Sequence, residues 1–480
     1  MTERLLWTSD AMAQAMKAQR AGNLPAGISG ISIDSRTVGK GEGFFAIKGD
    51  AHDGHAFAEK AIGAGAGVAV VAAAKRHELP ADAPLLIVDD VLAGLTELAR
   101  AARARSKGKV VAVTGSVGKT STKEALRVAL ARNGETHASV ASFNNHWGVP
   151  LSLARLPEDA RYAIFEIGMN HAGEITPLTK LVQPDIAVIT TIAPVHLEFF
   201  ESIDAIADAK AEIFFGVVPG GAAIVNRDIP QFTRLKDRAA AAGVAQLVSF
   251  GETRGADARL IRVALQPESS TVEADILGER VTYKLGTPGK HLALNSLAVL
   301  AAAKLAGADL ALAALALAQL APAAGRGTRI ALETPDGPAI LIDESYNANP
   351  TSMRAALALL AQAPVGQTGR RIAVLGDMLE LGAQGAALHK ELASAIKQNG
   401  IDVVFCAGPL MESLWQALPP NRRGGYAKDA VTLESEVVSA VHAGDALMVK
   451  GSAGSRMGPI VKALAKRYSR DALAEQDAKA

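Results

Sequence analysis

The segment Lys109-Val110-Val111-Ala112-Val113-Thr114-Gly115-Ser116-Val117-Gly118-Lys119-Thr120-Ser121 constrains this chain more than any other. A β-branched strand runs into a glycine-punctuated turn, and a helix follows with Leu126, Ala129 and Leu130 on one face. Gly115 and Gly118 free backbone N–H groups to turn toward a phosphate, and the helix N-terminus adds partial positive charge. Lys119 is placed to reach terminal phosphates, and the Thr120 hydroxyl to ligate Mg²⁺. The loop Gly-x-x-Gly-Lys-Thr is shorter than the standard phosphate-loop spacing, because Val113 stands five residues before Gly118. A bare Gly-Lys-Thr also occurs in ordinary strand-to-helix turns; the strand before it and the helix after it favour nucleotide binding.

In an open parallel sheet, ligands bind beyond the carboxyl ends of the strands. Two further strand ends therefore matter. Ala163–Phe165 runs into Glu166, and Ile186–Ile189 leads to a loop carrying His196. A carboxylate at the mouth of a buried strand is costly unless a cation meets it. Hydroxyl, carboxylate and imidazole from Thr120, Glu166 and His196 suit Mg²⁺ held with phosphate oxygens. Taken singly, Glu166 also reads as a salt-bridged strand terminus and His196 as a hydrogen-bonded loop histidine.

The periodicity predicts a helix from an N-cap at Ser202, with Ile203, Ile206, Ala207, Ile213 and Phe214 as its apolar stripe. Lys210 falls on that stripe. A buried lysine has a depressed pKa, and its neutral amine can capture CO₂ as a carbamate that offers oxygen to a metal. Periodicity alone favours a snorkelling lysine with its stem along the core.

The 480 residues suggest about three domains. Strand-like and helical runs alternate over 1–88, read as a small α/β domain. Over 89–325 the apolar strands Val110–Val113, Ala163–Ile167, Ile186–Ile189 and Ala222–Val225 predict a parallel sheet covered on both faces. Alternation near 246–286 predicts antiparallel hairpins appended to it. The α/β rhythm of 326–480 predicts a second, Rossmann-like doubly wound domain. With 50 Lys plus Arg against 49 Asp plus Glu, the net charge of +1 argues against a nucleic-acid binder. The single cysteine, Cys406, excludes an internal disulfide. The apolar run near Met1–Asp10 is too short for a signal-peptide core, so a cytoplasmic location is expected. No run approaches the ~18 uncharged apolar residues of a membrane span.

An ordered set of motifs resembles the Mur ligase family: Thr114–Thr120, Ser142-Phe143-Asn144-Asn145-His146-Trp147-Gly148-Val149-Pro150, Glu166-Ile167-Gly168 and Ala209-Lys210-Ala211-Glu212. Gly289-Lys290-His291 with Asn295, Gly325-Arg326 and Asp343-Glu344-Ser345-Tyr346-Asn347-Ala348-Asn349-Pro350 extend it along nearly the whole chain. Within the family, Asp34-Ser35-Arg36, Asp53-Gly54-His55 and Leu375–Gly382 resemble members that act on UDP-N-acetylmuramoyl-tripeptide and D-alanyl-D-alanine.

The resemblance implies a UDP-substrate domain, a central ATPase domain and a C-terminal domain receiving the incoming dipeptide. It implies ATP-dependent amide ligation with Mg²⁺, a CO₂-derived carbamate on Lys210, and a monomer. Thr114 to Ser121, Asn295, Arg326 and Asp343 are then expected at the nucleotide. Ser35, Arg36, Asn144 and Asn145 are expected at the UDP substrate, and Asn347, Asn349 and Ser452 near the amine substrate. Leu292 stands where the family commonly has Asn, and Glu344 where a second Asp is common. A non-catalytic nucleotide-binding module and a folylpolyglutamate-type ligase are the alternatives. The first has no use for Lys210 or His196, and the second is not expected to carry the Asp34-Ser35-Arg36 domain.

Overall fold

Val110 to Val113 have no solvent exposure. Buried on both faces, they place the strand Lys109–Thr114 inside a sheet rather than at its edge. The computed structural model describes residues 4–49 and 52–469. Met1–Glu3 of the N-terminal reading and the chain end at 480 lie outside these.

The central sheet has nine strands. From one edge they are Glu279–Leu285, Ser270–Ile276, Ala258–Leu265, Gln246–Gly251, Ala222–Asn226, Ile186–Ile189, Lys109–Thr114, Tyr162–Glu166 and Thr136–Ala138. Pairing is parallel from Gln246–Gly251 to Thr136–Ala138 and antiparallel among the three strands of 258–285. The expectation of antiparallel hairpins from 246 therefore needs correction. Gln246–Gly251 is a parallel strand reached through the helix Phe232–Ala241. Val248, Ser249 and Phe250 are buried in succession, with the Ser249 hydroxyl donating to Asp257 at 2.6 Å.

Helices Lys119–Ala131 and Lys290–Leu305 cover one face through Leu126, Leu130, Leu297 and Leu300. Val91–Arg105, Gly148–Ala154, Ile175–Val182 and Ile203–Ala211 cover the other. Ser202 caps the last of these, accepting from Ala205 N at 3.1 Å. The buried stripe begins at Ile206; Ile203, expected in it, is exposed in the first turn.

A six-stranded sheet follows, in the order Thr328–Thr334, Gly337–Glu344, Ala446–Lys450, Arg371–Gly376, Val403–Ala407, Arg423–Ala427. It is parallel except for the opening hairpin. The N-terminal part holds a five-stranded sheet, Gln19–Ala21, Leu85–Val88, Val68–Ala72, Gly43–Phe45, Ile31–Ser32. Between two of its strands lie a 3₁₀ turn, Gly54–Phe57, and the short helix Ala58–Gly63. Trp7, Met12 and Met16 share one apolar core with Leu95, Leu98 and Leu153. The Trp7 indole donates to Ala154 O at 2.8 Å, and the Arg105 guanidinium lies 3.4 Å from its ring centroid. The N-terminal sheet is thus tied to the central one by hydrophobic burial rather than by a loose linker.

Candidate active site

The strand Lys109–Thr114 delivers the glycine turn to the sheet's carboxyl end, where helix Lys119–Ala131 begins. Gly115 and Gly118 have φ of 145° and 90°. A Cβ on Gly115 would collide with Thr190 Oγ1, and one on Gly118 with the Asn295 amide. Glycine is required at both positions by backbone angle and by space. The loop is braced from the neighbouring strand end: Ser116 Oγ donates to Ala193 O at 3.1 Å, and Thr190 Oγ1 donates to Val117 O at 2.6 Å. Ser121 Oγ closes back on Gly118 O at 3.0 Å. The Thr114 hydroxyl is buried without a partner.

Glu166, 1% exposed, ends its strand beside Val113. Thr120 Oγ1 donates to its Oε2 at 2.8 Å, and Asn144 Nδ2 donates to its Oε1 at 2.7 Å. Both carboxylate oxygens therefore face residues expected at bound ligands. Lys119 Nζ donates to Gly115 O at 2.8 Å. Burial pushes its pKa down, the Glu166 charge opposes that, and Arg326 adds to it.

Lys210 is 1% exposed, so it does not snorkel. Desolvation, and then the charge of Lys119, holds its pKa well below the usual lysine value. His196 directs Nδ1 at Glu380 Oε2, 2.5 Å away in the C-terminal part. A carboxylate only accepts, so Nδ1 donates this bond and Nε2 is the ring nitrogen left over. Among the described residues no three His, Cys, Asp or Glu side chains form a ready-made metal cluster. Of the expected donors the structure brings together the Thr120 hydroxyl and Glu166, oxygen groups that suit a hard divalent cation such as Mg²⁺, while His196 is held by Glu380.

A cleft of about 270 Å³ lies over the loop, lined by Ser116 to Ser121, Asn295, Arg326, Asn347 and Asn349. Leu292 lines it with an apolar side chain. Arg326 lies 4.2 Å from the Tyr346 ring centroid, and the Tyr346 hydroxyl bonds Ser142 across the two parts. Other expected residues have local duties. Asp343 accepts from Ser345 Oγ at 2.6 Å, and Asn349 caps helix Pro350–Ala361 through Ser352. Ser452 Oγ accepts from Leu379 N at 3.0 Å, and Asn145 accepts from Gly148 N at 2.9 Å. Ser35 and Arg36 lie outside the cleft, with Arg36 exposed and paired to Asp34 at 2.7 Å. That pair draws the Asp34 carboxyl down to about 2. A larger open cavity, about 990 Å³, opens where strands Lys109–Thr114 and Tyr162–Glu166 begin, away from the phosphate loop.

Lys450 went unread in the sequence. It is buried at the end of strand Ala446–Lys450, lines the cleft, and donates to Glu344 Oε2 at 3.0 Å and Asn347 O at 2.9 Å. The rule that singled out Glu166, a charged residue at the mouth of a buried strand, applies to it equally. Tyr346 sits inside a quoted motif but carries no chemical signal of its own.

A parallel α/β sheet whose glycine loop and Thr120 hydroxyl line one cleft, with a buried carboxylate bonded to that hydroxyl, defines a phosphate-loop nucleotide-binding fold. The model of the Mur ligase middle domain matches residues 113–303, that of the Mur ligase glutamate ligase domain 325–453, and that of the Mur ligase family catalytic domain 27–103. The chain is 32% identical over 457 residues to UDP-N-acetylmuramoyl-tripeptide--D-alanyl-D-alanine ligase of Rickettsia prowazekii, covering 95% of this chain and 99% of that one. Its structure resembles MurF from Acinetobacter baumannii with a TM-score of 0.80 at 30% identity, covering 96% of this chain and 99% of that one. It also resembles the MurF ligase of Thermotoga maritima in complex with ADP, with a TM-score of 0.74 at 25% identity, covering 92% and 98%. The chain belongs to the Mur ligase family. Among the described residues no helix is long and apolar enough to cross a membrane.

Proposed function

We propose that this chain is an ATP-dependent amide ligase that joins D-alanyl-D-alanine to UDP-N-acetylmuramoyl-tripeptide, in the cytoplasm, as a step of peptidoglycan precursor synthesis. The observation that carries this reading is the Thr120–Glu166–Asn144 constellation at the phosphate loop, whose Lys119 and Thr120 line one cleft with Arg326 of the C-terminal part. Likeness to the named ligases along almost the whole chain supports the choice of substrates.

The tripeptide carboxylate attacks the γ-phosphorus of ATP, giving an acyl phosphate and ADP. The dipeptide amine then attacks the acyl carbon, loses a proton, and phosphate departs. Lys119 and the backbone N–H groups of Gly115 to Thr120 meet the charge that spreads over the transferred phosphoryl oxygens. Thr120, Glu166, His196 and a carbamate on Lys210 would hold Mg²⁺, which supplies Lewis-acid neutralisation of phosphate charge. Lys210 suits carbamylation because its amine is buried and shifted toward the neutral form. Asn295, Arg326 and Asp343 are assigned to the nucleotide, and Ser35, Arg36, Asn144 and Asn145 to the UDP substrate. Asn347, Asn349 and Ser452 are assigned to the dipeptide end.

The corresponding division is 1–88 for the UDP substrate, 89–325 for ATP and 326–480 for the dipeptide, working as a monomer. ATP turnover measured with neither, each and both of the two co-substrates tests the reading. Phosphate release that needs both supports it. Hydrolysis indifferent to both points to a nucleotide-binding module, and turnover with a folate and glutamate points to the polyglutamate-type alternative.

A further inference from the structure

The helix that follows the phosphate loop holds a lysine that the chemistry above does not use. Lys123 has no exposure, and its Nζ donates to Ser139 O at 2.7 Å and Ala141 O at 2.6 Å, with Glu124 Oε1 2.9 Å away. Burying an ammonium is costly unless its donors are satisfied, and here three oxygens satisfy them. An apolar residue would pack this helix more simply, so the cation calls for a reason in what it holds.

It holds one end of the loop between strand Thr136–Ala138 and helix Gly148–Ala154. Phe143 anchors the later part of that loop on the central core, but its first turn has little apolar burial: Val140 is 56% exposed, and Ala141 takes φ 48°, a region disfavoured for residues with a Cβ. Three of its side chains face the site. Ser139 Oγ accepts from Glu166 N at 3.2 Å, Asn144 donates to Glu166 Oε1, and Ser142 bonds Tyr346 of the C-terminal part. The loop thus touches both the carboxylate beside the phosphate loop and the part that closes over the nucleotide.

We propose that Lys123 is a positioning residue for ligation: it pins the turn at Ser139–Ala141, and through that turn holds Asn144 on Glu166 and Ser142 in reach of Tyr346. It acts through the loop and touches no substrate. This inference rests on the ligase reading. Wild-type protein that fails to ligate overturns both, whereas an active wild type with an indifferent variant overturns only the role of Lys123.

The test compares Lys123→Met, Asn144→Ala and the double variant in the full-length chain. Lys123→Met is expected to lower kcat about 30-fold or more while moving KM for ATP less than about threefold, since the phosphate loop itself is untouched. In ligand-free protein, backbone amides of 139–147 should exchange with deuterium at least about tenfold faster, with the rest of the helix unchanged. The double variant should lose no more than the worse single variant, because both changes break one chain of contacts. A kcat within about threefold of wild type, unchanged exchange in the loop, or losses that multiply would each overturn the proposal. If Lys123→Met shows no cooperative melt, Lys123→Gln, which keeps one donor for a carbonyl, is judged by the same criteria. If neither variant folds, Lys123 is scaffold and the proposal fails.

Discussion

The His196 imidazole and the Glu380 carboxylate meet at 2.5 Å across 184 residues of sequence. Each sits at a positive φ, 54° and 62°, and Glu198 N adds a bond to Glu380 O at 3.2 Å. The hydrogen bond to His196 draws the Glu380 pKa below the usual carboxylate value. A carboxylate on one imidazole nitrogen fixes the ring and its tautomer, which leaves the other nitrogen aimed. The C-terminal part therefore helps orient a candidate metal ligand of the central sheet.

Glu380→Gln is predicted to raise the Mg²⁺ concentration for half-maximal rate by roughly 10- to 100-fold, the usual cost of losing an outer-shell partner. Glu380 is about half exposed, so its melting temperature should hardly move. A Mg²⁺ titration identical to that of wild type would show that the pair is only a surface contact.

Lys119→Ala is predicted to lower kcat about 1,000-fold, or ~4 kcal/mol of transition-state stabilisation. The fold should survive, because among the described residues the side chain's one hydrogen bond goes to the neighbouring Gly115 carbonyl. Steady-state rates beside a circular dichroism melt check this, and a folded variant with near-normal turnover removes the phosphate loop from the reaction.

For Lys210→Ala a loss of about 100-fold or more is expected, with part of it restored by a small carboxylate such as formate. The pKa shift favours the neutral amine, the form that attacks CO₂, at neutral pH, and raising the pH increases that fraction further. Mass spectrometry of gently ionised protein and carboxylate titration of the variant are the measurements. A variant with normal turnover would end the carbamate assignment.

Arg36→Ala should raise KM for the UDP-linked substrate roughly 10- to 100-fold, as expected for losing a charge-assisted bond to a diphosphate. KM for ATP should stay unchanged, since Arg36 lies outside the nucleotide cleft. A point variant is the cleaner probe of the N-terminal part, because deleting residues 1–88 would strip Trp7, Met12 and Met16 from a core shared with Leu95 and Leu98. Equal effects on both constants would place Arg36 elsewhere.

The phosphate loop was legible because strand, glycine turn and helix are contiguous, and each leaves a local mark. Glu166 was legible by the cost of a carboxylate at a buried strand end. Lys450 obeys the same rule and was passed over, because its strand belongs to the second sheet and only the fold brings it to the first sheet's cleft. Glu380 and Tyr346 left no local signal: their partners His196 and Ser142 lie 184 and 204 residues away. For Lys210, helical periodicity located the residue, but only the fold shows a buried side chain where the pattern alone favoured a snorkelling one.

The most direct test follows one oxygen atom. UDP-N-acetylmuramoyl-tripeptide labelled with ¹⁸O in its terminal carboxylate is incubated with the enzyme, ATP, Mg²⁺ and D-alanyl-D-alanine, and the released phosphate is analysed by mass spectrometry. Attack of that carboxylate on the γ-phosphorus followed by amide formation predicts one ¹⁸O in each phosphate and one left in the new amide. Phosphate carrying no label, with water as the source of its fourth oxygen, would contradict the acyl-phosphate route and the ligase reading built on it.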